Sequence, residues 1–112
     1  MLKFHNVFSL NELPVGTMKM VVLENKEILI SNVTGTIHAI SNRCTHLGGS
    51  LVKGKLEGQI VTCPRHGAKF DVTSGEAVGP AKILMLKMNV KNEQIFPVKI
   101  EADQILVGIE AL

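Results

Sequence analysis

The sequence predicts an all-β fold, and the prediction rests on how its apolar residues are spaced. They recur with period two over short stretches, turn signals interrupt them every few residues, and no stretch carries an apolar stripe of helical period. Met20 to Leu23 and Ile28 to Ile30 flank Glu24-Asn25-Lys26 and predict a β-hairpin. Val33 and Ile37 flank Thr34-Gly35, which extends the hairpin into a meander ending near Ile40. In the last third Leu84, Leu86, Met88 and Val90 alternate with Ile83, Met85, Lys87 and Asn89 as one extended segment. After a polar turn Phe96, Val98 and Ile100 alternate in the same way. Pro97 belongs at a strand edge or end, because proline cannot donate to a ladder, and Ile105, Val107 and Ile109 supply a final strand.

The middle of the chain differs. Residues 41–81 hold seven of the ten glycines and two of the four prolines, with only brief apolar pieces such as Gln59 to Thr62. Glycine at this density lets backbone approach another group closely or take positive φ. The expected organisation is therefore a single domain of 112 residues, with 1–40 and 82–112 as a β framework and about 41–81 as a glycine-rich lobe.

Composition narrows the class of function. Apolar residues make up 46% and charged residues 20%, the balance of a packed soluble domain. The net charge of +2 comes without runs of like charge, and four Phe with no Trp or Tyr offer few stacking platforms, so nucleic acid is not an expected partner. No apolar run reaches the length of a membrane span, and Met1 to Leu10 carries Asn6 and His5 where a signal peptide needs unbroken apolar sequence, so a cytoplasmic location is expected. Two cysteines are too few for a secreted disulfide scaffold and suit metal-binding thiols instead.

Both thiols lie beside histidines. Cys44-Thr45-His46 is followed after sixteen residues by Cys63-Pro64-Arg65-His66, so each loop offers one thiolate and one imidazole. Four such donors suit zinc or an iron–sulfur centre. Zinc knuckles usually pair two cysteines in one loop and two histidines on a following helix, whereas here each loop is mixed and no helical period follows. A structural zinc module is thus the weaker alternative. His5 and His38 lie outside the loops on expected strands and are read as framework residues.

The pattern Cys-Thr-His, sixteen residues, Cys-Pro-Arg-His resembles Rieske-type [2Fe-2S] ferredoxins, with Leu47 to Leu51 after the first pair, Gly67 to Asp71 after the second and Gly79-Pro80-Ala81 behind them. The resemblance implies a Rieske-type fold, an antiparallel β-sandwich framework with a small cluster-binding lobe, and one [2Fe-2S] cluster per chain. It implies Cys44 and Cys63 on one iron, His46 and His66 on the other, and a proline loop covering them. Leu47, Gly48, Gly49, Gly67 and Pro80 would serve through turns, backbone N–H groups and dry packing. It further implies an electron carrier rather than an enzyme, loaded by a flavin-type reductase and discharged to an oxygenase. A small Rieske-like subunit of a nitrite reductase-type complex is the alternative. Arg43, Arg65 and Lys69 suit either a basic rim for an acidic partner or a solvated face.

Departures from the family pattern bear on the potential. High-potential Rieske proteins of respiratory complexes carry an extra cysteine in each loop, joined as a disulfide; the matching places here are Gly49 or its neighbour and Pro64. They also carry a Ser and a Tyr whose hydroxyls bond to sulfur, where this chain has Ala68 and Phe70. A bond to sulfur favours the more negative reduced state by about 1–2 kcal/mol, so each missing bond lowers the potential by roughly 40–90 mV. The expected potential lies near the lower end of the Rieske range, closer to about −150 mV than to +300 mV.

Overall fold

The computed structural model describes residues 1–45, 48–79, 81–83, 86–88 and 90–110, with 81–83 and 86–88 described through their backbone. β1 (Leu2–Ser9) leads through a short 3-10 turn at Leu10–Glu12 into β2 (Met18–Leu23), β3 (Lys26–Val33) and β4 (Thr36–Ser41). The turns that shape this meander are two-residue turns with both central residues at positive φ, Glu24 and Asn25 at 48° and 66° and Thr34 and Gly35 at 51° and 98°. Such turns twist with the strands they join, which is why Asn and Gly mark them in sequence.

Within residues 41–81 the chain forms β5 (Lys55–Glu57), β6 (Ile60–Thr62), β7 (Lys69–Asp71) and β8 (Ala77–Gly79), after a 3-10 turn at Leu51–Lys53. They pair in sequence order as an antiparallel sheet, more regular than a loop-rich reading of this glycine content suggests. β9 (Ala81–Ile83) and β10 (Leu86–Met88) follow, then β11 (Ile95–Phe96), β12 (Val98–Glu101) and β13 (Gln104–Glu110). The framework sheets are ordered β1-β13-β12 and β11-β4-β3-β2.

Sequence and structure part at residues 83–90. The alternation there predicts one extended segment, but Ile83 pairs with Leu86 and Ala81 with Met88, so the chain reverses as a hairpin. Pairing Ile83 with Leu86, three positions on, reverses the period-two phase, but Ile83-Leu84-Met85-Leu86 is an unbroken apolar run without a turn residue, so the sequence does not mark the switch. Residues 84, 85 and 89 of that segment lie outside the described residues. Pro97 stands where expected, at the junction between β11 in one sheet and β12 in the other.

β3 explains the layering. Its residues Ile28 to Asn32 are buried without interruption, the mark of a strand covered on both faces. Ile28 and Ile30 join Leu13, Ile37, Ala39, Phe96, Ile105, Val107 and Ile109 in the core between the two framework sheets, forming a β-sandwich. Leu29 and Ile40 point the other way, into a second core with Leu51, Val61, Phe70, Val72 and both cysteines. The four-stranded sheet of β5 to β8 therefore packs against the outer face of the framework, and the thiols lie in that junction. Among the described residues no helix is long and apolar enough to cross a membrane.

Candidate metal centre

Each cysteine begins a loop at the end of a strand, and the two loops close in the same way. After β4, the Cys44 N–H donates to the Gly49 carbonyl (2.7 Å) and the Gly48 N–H donates back to the Cys44 carbonyl (3.1 Å). After β6, the Cys63 N–H donates to the Ala68 carbonyl (2.7 Å) and the Gly67 N–H to the Cys63 carbonyl (3.1 Å). Gly48 and Gly67 hold the same left-handed position at φ 68° and 76°. The loops are two copies of one frame, Cys-x-x-x-Gly, a repeat that the histidine spacing hides because His46 stands third in its frame and His66 fourth. His46, Leu47 and Pro80, all singled out by the sequence, lie outside the described residues.

The frames set the thiols in one dry patch. Cys44 and Cys63 are 3% and 1% exposed, share a core with Val61, Ala68 and Phe70, and are not joined in a disulfide. A Cβ on Gly49 would stand 2.7 Å from the Cys63 sulfur and 3.3 Å from the Arg65 Cβ, so only glycine lets the first loop lie against the second thiol. His66 is half-buried with Nδ1 enclosed. Among the described residues no three His, Cys, Asp or Glu side chains converge as a metal site, so the structure itself assembles the two thiols and not the full set of four. Two buried soft donors from twin loops, with an imidazole in the same frame, nonetheless fit a thiolate- and imidazole-held centre such as [2Fe-2S]. Ala68 and Phe70, 1% and 0% exposed, bring no hydroxyl to that patch.

The first loop is braced by polar residues that sequence spacing did not single out. Asn42 is fully buried; its carbonyl accepts from Leu51 N–H (2.9 Å), its Oδ1 accepts from Val52 N–H (2.8 Å), and its Nδ2 donates to Ser50 Oγ (2.9 Å) and Glu27 Oε1 (3.1 Å). Arg43 donates through Nε and Nη2 to Glu27 Oε2 (3.1 and 2.7 Å) and through Nη1 to the Gly48 carbonyl (2.9 Å). These bonds from Arg43, and then from Asn42, hold the Glu27 carboxyl below the usual range.

A second brace reaches the loop from residues 91–94. The Thr45 N–H, between Cys44 and His46, donates to Glu93 Oε2 (3.1 Å), and Thr45 Oγ1 donates to the Lys91 carbonyl (2.6 Å). The Glu93 N–H donates to the Gly75 carbonyl (2.7 Å) and the Ala77 N–H to Asn92 Oδ1 (2.9 Å), so the segment also ties down the turn between β7 and β8. Glu93 is only 6% exposed, and burial pushes its carboxyl up to about 7 against the smaller pull of the Thr45 bond. No spacing rule connects residue 93 to residue 45, so only the fold reveals it. His5 meets Glu24 Oε2 (2.8 Å), and His38 lines a framework hollow with Thr73 and Ile95.

Comparison with known proteins agrees with this geometry. Residues 3–87 match the family model described as the Rieske [2Fe-2S] domain. The chain is 34% identical over 107 residues to the ferredoxin component of the naphthalene 1,2-dioxygenase system of Pseudomonas aeruginosa, covering 96% of each. It is 30% identical over 112 residues to the ferredoxin component of the alkene monooxygenase system of Xanthobacter autotrophicus, covering 99% of this chain and 85% of that one. Its fold matches a chain in the solved complex of reduced oxygenase and oxidized ferredoxin of carbazole 1,9a-dioxygenase with a TM-score of 0.81, at 24% identity over 93% of this chain and 91% of that chain. The twin Cys loops thus occur in a chain matched over most of its length by a single model, and the chain belongs to the Rieske [2Fe-2S] domain family.

Proposed function

We propose that the chain is a one-electron carrier in which Cys44, Cys63, His46 and His66 hold one [2Fe-2S] cluster, receiving its electron from a flavin-type reductase and passing it to a terminal oxygenase. The observation that carries the ligand assignment is the pair of equivalent frames, which delivers two buried thiols to one patch with Gly49 against the Cys63 sulfur. The partner assignment is supported by relatives that are ferredoxin components of oxygenase systems. When bound, the cluster supplies a centre that takes up one electron at a potential raised by replacing two thiolates with neutral imidazoles.

The residues of the chain act by positioning and exclusion. Val61, Ala68 and Phe70 keep water from the thiols, and the frame bonds fix the spacing of the two loops. His66, half-buried, gives the site an edge near the surface through which an electron can leave. Oxygen activation belongs to the partner: the remaining histidines, His5 and His38, are spent on the framework.

The test is anaerobic purification followed by visible absorbance, iron and sulfide analysis and EPR of the reduced protein. A coloured protein with about two iron and two sulfide per chain is expected, and Cys44→Ser or His66→Ala should abolish the mixed-ligand spectrum. A colourless, iron-free product, or one zinc per chain, would contradict the proposal.

A further inference from the structure

The charge of the chain is not spread evenly. Residues 41–81 carry five basic side chains (Arg43, Lys53, Lys55, Arg65 and Lys69) against three acidic ones (Glu57, Asp71 and Glu76), and the rest of the chain balances at seven of each. All of the net charge of +2 therefore resides in the lobe. All five basic residues are exposed.

Strand register then separates the signs. At the cysteine end of the lobe sheet, Lys55, Thr62 and Lys69 form one cross-strand row, immediately before Cys63, and Lys69 Nζ donates to Thr62 Oγ1 (3.0 Å). At the opposite end the row is Glu57, Ile60 and Asp71, two residues further along each strand, or roughly 7 Å away. Asp71 is also turned inward, accepting from Thr73 N–H, Thr73 Oγ1 and Gln59 Nε2.

Between the twin loops lies a depression lined by Arg43, Lys53 and Arg65 together with Gly48, Gly49, Ser50 and Pro64. The two glycines bring no side chain to it, and no carboxylate is among its lining residues. Glu27 engages Arg43 directly and lies within electrostatic reach of Lys53, so one carboxylate stands against the three lining cations, and the Arg43 guanidinium also donates to the Gly48 carbonyl. The result is a concave basic surface directly over the loops that carry the thiols.

We infer that this face docks an acidic surface of the electron-donating reductase. The inference rests on the carrier reading above and deepens it. The donor is the better occupant on electrostatic grounds. Arrival of an electron adds one negative charge beneath the face and weakens its hold on an acidic partner. A donor gains from release after transfer, whereas an acceptor would be held least firmly by the reduced form it must bind.

Flash-generated flavin semiquinones make a donor probe of controlled charge. Oxidized holoprotein is reduced by FMN semiquinone, anionic through its phosphate, and by uncharged lumiflavin semiquinone, at salt from about 10 mM to about 300 mM, a range that shortens the screening length severalfold. The FMN rate constant is expected to fall by on the order of tenfold across that range while the lumiflavin rate stays level. Lys53→Glu with Lys69→Glu should reverse the FMN salt dependence, and Lys3→Glu on β1 should leave it unchanged. An FMN rate that is flat or rises with salt in the native protein overturns the docking inference alone. A protein that neither flavin reduces overturns the cluster reading and the inference together.

Discussion

The loop from Cys44 to Gly49 and the loop from Cys63 to Ala68 close with the same two backbone hydrogen bonds, yet different forces hold them. The first is fixed by polar side chains from distant elements, Glu27 and Asn42 below it and Glu93 beside it. The second adds apolar packing to the contacts of Arg65 and His66: Ala68 and Phe70, just after its histidine, are sealed in the core with Val61 and Val72. One local geometry can thus be secured either by satisfied buried polar groups, which are sensitive to pH and intolerant of a lost partner, or by apolar burial, which is indifferent to pH but sensitive to volume.

Substitutions in each loop should expose that difference. The largest effects are expected from Phe70→Ala, which hollows the support of the second loop and should cost about 3–5 kcal/mol in urea unfolding, and from Gly49→Ala, which drives a methyl group into the Cys63 sulfur. Gly49→Ala should yield protein with most of its iron lost. Gly67→Ala meets open space and only the left-handed penalty of about 1–2 kcal/mol, and should stay coloured. Equal iron content in the two glycine variants would break the claim that the loops interlock at Gly49.

Next comes Asn42→Ala, which leaves the half-buried Val52 N–H without its acceptor and should cost about 1–3 kcal/mol. Its mark is selective: hydrogen exchange should rise at Leu51 and Val52 and not at Cys63, which bonds within its own loop.

Glu93 separates the loops by pH. Its carboxyl, at about 7 in the folded chain, keeps a proton that the unfolded chain loses at about 4.3. Stability should fall as pH rises from about 4.3 to about 7 and level off above that. Glu93→Gln should flatten that slope in unfolding measured at several pH values; an unchanged slope would show that Glu93 is not the group responsible. The smallest expected effect is electronic: Ala68→Ser and Phe70→Tyr should each raise the midpoint potential by roughly 40–90 mV.

Much of this was legible in the sequence where a local rule writes the structure. The turns at Glu24-Asn25 and Thr34-Gly35 announce themselves through Asn25 and Gly35, the residue types that take positive φ readily. The reversal between Ile83 and Leu86 was hidden because the run Ile83-Leu84-Met85-Leu86 is apolar throughout and carries no turn residue to mark the change of phase. At the site, residue type and spacing exposed Cys44 and Cys63, whereas Asn42 and Glu93 acquire their roles only through contacts made across the fold, 15 residues away for Asn42 to Glu27 and 48 for Thr45 to Glu93. The shared Cys-x-x-x-Gly frame lay between these cases: both glycines were visible, but aligning the loops on their histidines concealed it.

A redox titration of the purified holoprotein at neutral pH probes both the mixed thiolate and imidazole ligation and the lack of a hydroxyl at Ala68 and Phe70. A one-electron midpoint of about −150 mV is expected. A value near about −400 mV would contradict the imidazole ligands, and one well above zero would contradict the effect assigned to Ala68 and Phe70.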